Sequence, residues 1–278
     1  MTNENQKTFW GGEGGSNWVK KKSTLDDMLG PFGNLAIKEL AIQEDSDVID
    51  IGCGSGATTF QIAEKLSLNG SIIGVDISDP LINHAKSINK FENVKFIEDD
   101  IQTSKLEPNI FTHAFSRFGV MFFEDPVTAF KNINKSLKPD GKLSFICWQS
   151  AHLNLWQTLI MKEIKQIIDL PTPNPRDPGP FAFGEKEYIQ SILNNADFTN
   201  TNIESYEQAV TIFKGYTVNQ AVSEMLMLNP SLTFLKDYPK NQQNDIQIKL
   251  ETAYSAYQND QGFEFPSSAW LVTSEKSR

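Results

Sequence analysis

Val48-Ile49-Asp50-Ile51-Gly52-Cys53-Gly54-Ser55-Gly56, running into Ala57-Thr58-Thr59-Phe60-Gln61-Ile62-Ala63-Glu64-Lys65-Leu66 and then Ile72-Ile73-Gly74-Val75-Asp76, is the stretch that decides the fold. A short β-branched run suits a strand buried on both faces. Three alternating glycines let the backbone bend sharply and let a ligand come close where a Cβ would clash. Phe60, Ala63 and Leu66 then recur at helical spacing, so one face can pack on a sheet. The second apolar run ends in Asp76. That places a carboxylate at the carboxyl end of the neighbouring strand, where it can accept from a ribose diol.

Outward from this unit the chain alternates strand and helix with short links, the pattern of a parallel sheet with helices on both faces. The spacing predicts strands over 47–52, 71–76, 94–97, 111–116 and 143–148. Helices are predicted over 56–67, 80–89 and 125–137. Before this block, Gly11-Gly12-Glu13-Gly14-Gly15 reads as a flexible turn between Trp10 and Trp18. A helix from Asn17 is expected to stop at Gly30-Pro31, with a second from Gly33 to Ala41. The two tryptophans read equally as a lid over a ligand or as anchors that pin the arm to the core.

After Trp148 the rhythm breaks. Helices are expected over 155–170, 185–195, 218–228 and 238–258, and a strand over 201–209. Phe263–Phe265 and Trp270–Thr273 read as a terminal strand, folding back antiparallel. Pro171-Thr172-Pro173-Asn174-Pro175-Arg176-Asp177-Pro178-Gly179-Pro180 cannot be regular structure and is long enough to serve as a cover. The fold class is therefore α/β: a Rossmann-like parallel sheet with an antiparallel last strand and a mainly helical substrate cover. Its parts are an N-terminal arm over 1–46, a core over 47–150 and a cover over 151–278.

The chain has 278 residues and a net charge of −10, with no basic stripe, so phosphate-neutralising contacts to nucleic acid are not expected. Lys20-Lys21-Lys22 reads as a solvated helix face. Cys53 and Cys147 fall in or beside predicted strands and read as packed thiols of a reducing compartment. His84, His113 and His152 form no metal-ligand spacing with them, and no metal is expected. The first residues lack the basic and apolar regions of a signal peptide, and no apolar run is long enough to span a bilayer, so the cytoplasm is the expected location.

Nicotinamide, flavin and S-adenosylmethionine sites all use glycine-rich loops of this kind. Here the glycines run G-x-G-x-G, not G-x-G-x-x-G. Asp50 precedes the first by two residues. A carboxylate there suits the ammonium of an amino-acid ligand and opposes a pyrophosphate; otherwise it is a strand-end cap. Four motifs in order then carry a resemblance: Asp50–Gly56, Gly74-Val75-Asp76-Ile77-Ser78, Asp99-Asp100, and Leu137-Lys138-Pro139-Asp140-Gly141. Over residues 17–150 the chain resembles class I S-adenosylmethionine-dependent methyltransferases, of the broad subgroup that includes ubiquinone and menaquinone methyltransferases. The run Ser116-Arg117-Phe118-Gly119-Val120-Met121-Phe122-Phe123, the Trp10–Trp18 segment and Pro178–Phe183 look like a narrower set of these enzymes.

The resemblance implies S-adenosyl-L-methionine as cofactor and a small-molecule methyl acceptor with an O, N or C nucleophile, methylated by in-line displacement. It implies that Asp50 and Gly52 hold the methionine end, Gly54 and Gly56 keep the loop close, and Asp76 takes the ribose hydroxyls. Ile77 and Ile101 would flank adenine, and Asp99 or Asp100 would meet its amino group. Trp18 and the Ser116 backbone would complete the cofactor site. Asp76 has a second reading, as the cap of the helix that follows it. The family often has Gly where Asp99 and Asp140 stand and Asp where Thr112 stands. No catalytic residue is identified; Arg117 for an anionic substrate group and His152 as a base are the candidates, and His113 reads as a core residue. The alternatives are a non-catalytic protein that binds the same cofactor and a nicotinamide-dependent oxidoreductase.

Overall fold

The computed structural model describes residues 3–170 and 174–278. Pro171-Thr172-Pro173 of the expected cover segment, and Met1-Thr2, lie outside the described residues.

Five strands, β1 (Asp47–Ile51), β2 (Ser71–Asp76), β3 (Val94–Glu98), β4 (Phe111–Arg117) and β5 (Leu137–Trp148), pair in parallel in the order 3-2-1-4-5. They are joined through α4 (Ala57–Ala63), α5 (Asp79–Ile88) and α6 (Pro126–Ser136). β1 buries Val48, Ile49, Asp50 and Ile51 together, as a strand covered on both faces must. The strand order reverses between β1 and β4, and the loops after those strands open the crevice there.

The sheet is completed by two later strands. β10 (Ser268–Lys276) runs antiparallel to β5 along Ala269↔Trp148 to Glu275↔Lys142, and β6 (Phe198–Glu207) pairs antiparallel with β10 on its other side. The antiparallel last strand is as the sequence predicts. Phe263–Phe265 does not belong with it. It lies in β9 (Gly262–Phe265), which joins β7 (Val210–Ile212) and β8 (Gln258–Asn259) in a separate three-stranded sheet. Pro266 lacks the N–H a continuing ladder needs.

The N-terminal arm departs from the sequence reading. The glycine-rich segment is helical, divided between α1 (Glu4–Gly11) and α2 (Glu13–Lys20). A Cβ on Gly15 would stand 2.1 Å from the Trp10 carbonyl and 2.5 Å from Ser78 Oγ. Glycine here serves close packing, not mobility. α3 (Lys22–Glu39) runs straight through Pro31. An interior proline costs about 3 kcal/mol, but the stripe Leu25, Leu29, Phe32, Ala36 is buried on the sheet. Phe32 is fully buried, edge-on to Phe118, Trp148 and Tyr206.

The remaining helices are α7 (Leu155–Ile164), α8 (Lys186–Asn195), α9 (Val218–Leu228) and α10 (Lys240–Ser255). Asn154, fully buried, ties α7 to the sheet. Its Nδ2 donates to the carbonyls of Gln149, Ser150 and Ser268 at 3.1–3.3 Å, and its Oδ1 accepts from the Ser268 N–H at 3.2 Å. No helix among the described residues is long and apolar enough to cross a membrane. Asp140 has φ +61° and pairs with Arg278 Nε at 3.1 Å. His113 is a core residue, its pKa pushed down to about 4 by burial, with Lys142 adding to the shift.

Replacing Asn154 with Ala leaves the Ser150 and Ser268 carbonyls with the N–H groups of Leu153 and Gln149, but removes the side-chain partner of the Gln149 carbonyl and of the Ser268 N–H. At about 1–3 kcal/mol for each unmet buried polar group, partly relieved by water, Asn154→Ala should lower unfolding free energy by roughly 2–4 kcal/mol, measured by urea denaturation.

Candidate functional site

Gly52, Gly54 and Gly56 have φ of +65°, +55° and +86°, values other residues adopt only at a cost. The three differ in what surrounds them. A Cβ on Gly52 would meet Gly119 Cα at 2.8 Å, and one on Gly119 would meet the Ile51 carbonyl at 2.8 Å. The loops after β1 and β4 therefore touch backbone to backbone. A Cβ on Gly56 would strike Phe96 and Phe60, whereas nothing lies within 4 Å of one on Gly54. Gly54 faces open space at the crevice.

The Gly54 N–H donates to Asp76 Oδ2 at 2.8 Å, and the Ser78 N–H donates to Asp76 Oδ1 at 2.9 Å. Ser78, not Asp76, caps α5: its hydroxyl accepts from Leu81 N and donates to the Trp10 carbonyl at 2.6 Å. Burial pushes the Asp76 carboxyl up to about 6, against the N–H groups of Gly54, Ser78 and Ile77, which pull it down. Each oxygen keeps a lone pair for a ligand.

One cleft runs over these strand ends. Of the residues expected to hold a cofactor, Trp18, Gly52, Gly54, Asp76, Ile77, Asp99, Asp100 and Ile101 line it. Asp99 is occupied, with Oδ1 accepting from Asp100 N at 2.8 Å and Oδ2 from Ser104 Oγ at 2.6 Å. Asp100 accepts from Gln102 N at 3.0 Å, and burial raises its carboxyl. Arg117 also lines the cleft.

Asp50, Gly56, Ser116 and His152 are not among the lining residues. Asp50 is wholly buried, with Oδ2 taking the hydroxyls of Thr58 and Thr59 at 2.9 and 2.7 Å and Oδ1 meeting no partner. Burial lifts its carboxyl to about 6, while the two threonines and the Arg117 charge pull it down. Gly56 is spent on packing. Ser116 Oγ donates to the Ile51 carbonyl at 2.7 Å, locking β4 to β1. His152 is exposed on a single turn, Ala151–Leu153, away from the cleft; a base there would face water.

Sequence reasoning did not find most of the apolar wall of the cleft, Phe118, Trp148, Trp156, Phe213 and Met225, which Trp10 of the arm joins. Phe118 stacks on Trp148 at 4.2 Å, and Trp148 meets Trp156 at 5.4 Å. The Phe122-Phe123 pair lines the cleft as well. The Phe122-Phe123 pair reads in sequence either as pocket lining or as core, the residues after Trp148 carry no site signal, and only the fold gathers them.

A methyltransferase-domain family model matches residues 42–213. The chain belongs to the methyltransferase-domain family. It is a class I, S-adenosylmethionine-dependent methyltransferase, and the space a Cβ at Gly54 would take beside Asp76 suits that cofactor. The methyltransferase is 24% identical over 186 residues to the demethylmenaquinone methyltransferase of Staphylococcus saprophyticus subsp. saprophyticus, a match covering 63% of this chain and 79% of that one. Among solved structures it resembles YcgJ of Bacillus subtilis, with TM-score 0.60 and 17% identity over 90% of this chain and 99% of that one. It also resembles phosphoethanolamine N-methyltransferase 2 of Haemonchus contortus, solved with S-adenosyl-L-methionine, with TM-score 0.54 and 19% identity over 89% of this chain and 53% of that one.

Two measurements test the cleft. Asp76→Ala should weaken S-adenosylhomocysteine binding at least about tenfold by calorimetry, the loss of one charge-assisted hydrogen bond. In the wild type the pH dependence follows from the raised carboxyl. Ribose hydroxyls donate best to the ionised form, so binding pulls the proton off, and affinity should be full above about pH 6 and fall as pH drops below it. Separately, Gly119→Val should abolish binding, because its side chain would drive the β1 loop away.

Proposed function

We propose that the protein methylates a small-molecule acceptor by in-line displacement, with the acceptor seated against the aromatic wall. The observation that carries this reading is the division of the cleft. Its β2–β3 end is acidic, through Asp76, Asp99 and Asp100, and its far side is walled by the aromatic side chains Phe118, Trp148, Trp156 and Phe213. Asp76 would take the ribose hydroxyls. Asp100 would meet the adenine amino group, with Ile77 and Ile101 flanking the ring. Bound S-adenosylmethionine supplies a methyl group on a sulfonium that needs no further activation. The protein's part is to align the acceptor and keep water out, a role suited to Phe118 stacked on Trp148.

Beyond the acidic end and Arg117, the titratable side chain lining the cleft among the described residues is Cys53, whose thiol burial pushes well above its usual range. The acceptor would then enter with its nucleophile already deprotonated or with a free lone pair, needing no protein base. The three-part organisation supports the same reading: an arm over 1–46 that contributes Trp10 and Trp18, a cofactor core over 47–150, and a cover over 151–278 that contributes Trp156, Phe213 and Met225. The cytoplasm is the proposed compartment, since Cys53 and Cys147 are both free and buried with thiols pushed well up by burial.

Incubation with radiolabelled S-adenosylmethionine and a panel of small aromatic and lipophilic acceptors tests the proposal. Label should pass into a solvent-extractable product. Label found in RNA, DNA or protein, with none in any small molecule, would overturn it.

A further inference from the structure

We propose that Arg117 is the subsite for the carboxylate at the amino-acid end of the cofactor. The proposal rests on the cofactor reading above and changes the role of Arg117 from a partner of an anionic acceptor. The cleft is polarised along the strand order 3-2-1-4. Asp99 and Asp100 follow β3, Asp76 ends β2, the glycine loop follows β1, and Arg117 ends β4. Arg117 is the one cationic side chain among the described lining residues. A nucleoside-linked amino acid with its ribose on Asp76 and its sulfur over the β1 loop places its amino-acid end toward β4. Its one anionic group then lies beside the one cation.

Local packing agrees. A Cβ on Gly33 would stand 2.8 Å from Arg117 Cδ and 3.5 Å from the Thr58 methyl. So the absent side chain at Gly33 gives the Arg117 stem its place against α3, next to the threonine that donates to Asp50. The guanidinium, with 12% of its side chain exposed, has one polar partner among the described residues, Asp26 Oδ1 at 3.1 Å through a single nitrogen. Lys22 also pairs with Asp26, at 2.6 Å. A guanidinium offers five N–H donors. Most of them have no partner among the described residues, and a carboxylate fits the planar fork with two parallel bonds. Asp50, wholly buried with Oδ1 unpaired, supplies the opposite charge nearby. Asp50 is not among the residues that line the cleft, so Arg117 is the group the cleft offers to the carboxylate of an α-amino acid.

The test compares S-adenosylhomocysteine with 5′-methylthioadenosine, the same thioether nucleoside without the amino acid, by calorimetry on wild type, Arg117→Gln and Arg117→Lys. Arg117→Gln should weaken S-adenosylhomocysteine about tenfold or more and leave 5′-methylthioadenosine within twofold, with Arg117→Lys between wild type and Gln. Retained 5′-methylthioadenosine binding shows that the variant is folded. Equal weakening of both ligands, or no change in either, overturns the proposal; the second result returns Arg117 to the acceptor. A measurement on wild type alone guards against misfolding. Decarboxylated S-adenosylhomocysteine should bind more weakly than the parent by the factor seen in Arg117→Gln, and equal affinity overturns the proposal. Wild type that binds neither thioether fails the cofactor reading itself, a result distinct from all the others.

Discussion

The Asp76 carboxylate holds the crevice in shape. It takes the Gly54 N–H with one oxygen and the Ser78 N–H with the other, so the bend after β1 and the turn after β2 are fixed to each other by one side chain. Ser78 passes the constraint on through its bond to the Trp10 carbonyl. The N-terminal arm is thereby registered against the same strand end. A charged acceptor in a partly desolvated site makes strong hydrogen bonds with backbone donors, but its raised pKa records that burial has cost it solvation.

The second support is steric. Gly52 and Gly119 approach so closely that neither tolerates a methyl group, and Ser116 bonds the Ile51 carbonyl beneath them. The tips of β1 and β4 thus behave as one piece, with Asp76 on one side and Arg117 on the other. Over this rigid floor the walls come from distant segments: Trp10 and Trp18 from the arm, Trp148 and Trp156 from the end of β5 and the start of α7, and Phe213 and Met225 from beyond β6. Ion pairs cross between arm and cover, Lys21 to Glu224 at 2.6 Å and Lys236 to Glu13 at 3.0 Å. The second is highly exposed and contributes little.

The parallel core was legible in the sequence because its signals are local. β2 and α9 fall on the ranges their apolar runs and caps predict, and Asp76 stands where the strand–helix–strand pattern puts it. What was not legible depends on contacts between distant residues. Gly11–Gly15 has poor helix propensity and becomes helical because Gly15 is pressed between Trp10 and Ser78. Pro31 should end a helix, but the buried stripe through Phe32 outweighs it. Asp50 and Ser116 carry site-like sequence positions, yet the fold closes the first away and uses the second as a strand tie. Most of the aromatic wall was invisible because a buried tryptophan beside a ligand and one beside a leucine look alike in one dimension.

The segment from 208 to 267 leaves the sheet at Glu207 and returns at Ser268, two residues paired with each other in adjacent strands, and the Gln208 N–H donates to the Ser267 carbonyl at 3.0 Å. Everything between, including α9, α10 and the small sheet, is an excursion whose two feet stand side by side. Such a loop-out can lengthen, shorten or be exchanged while the scaffold strands keep their neighbours. The architecture thus separates inheritance from novelty: the floor that grips a common nucleoside stays fixed, and the roof over the variable guest can be rebuilt without disturbing it.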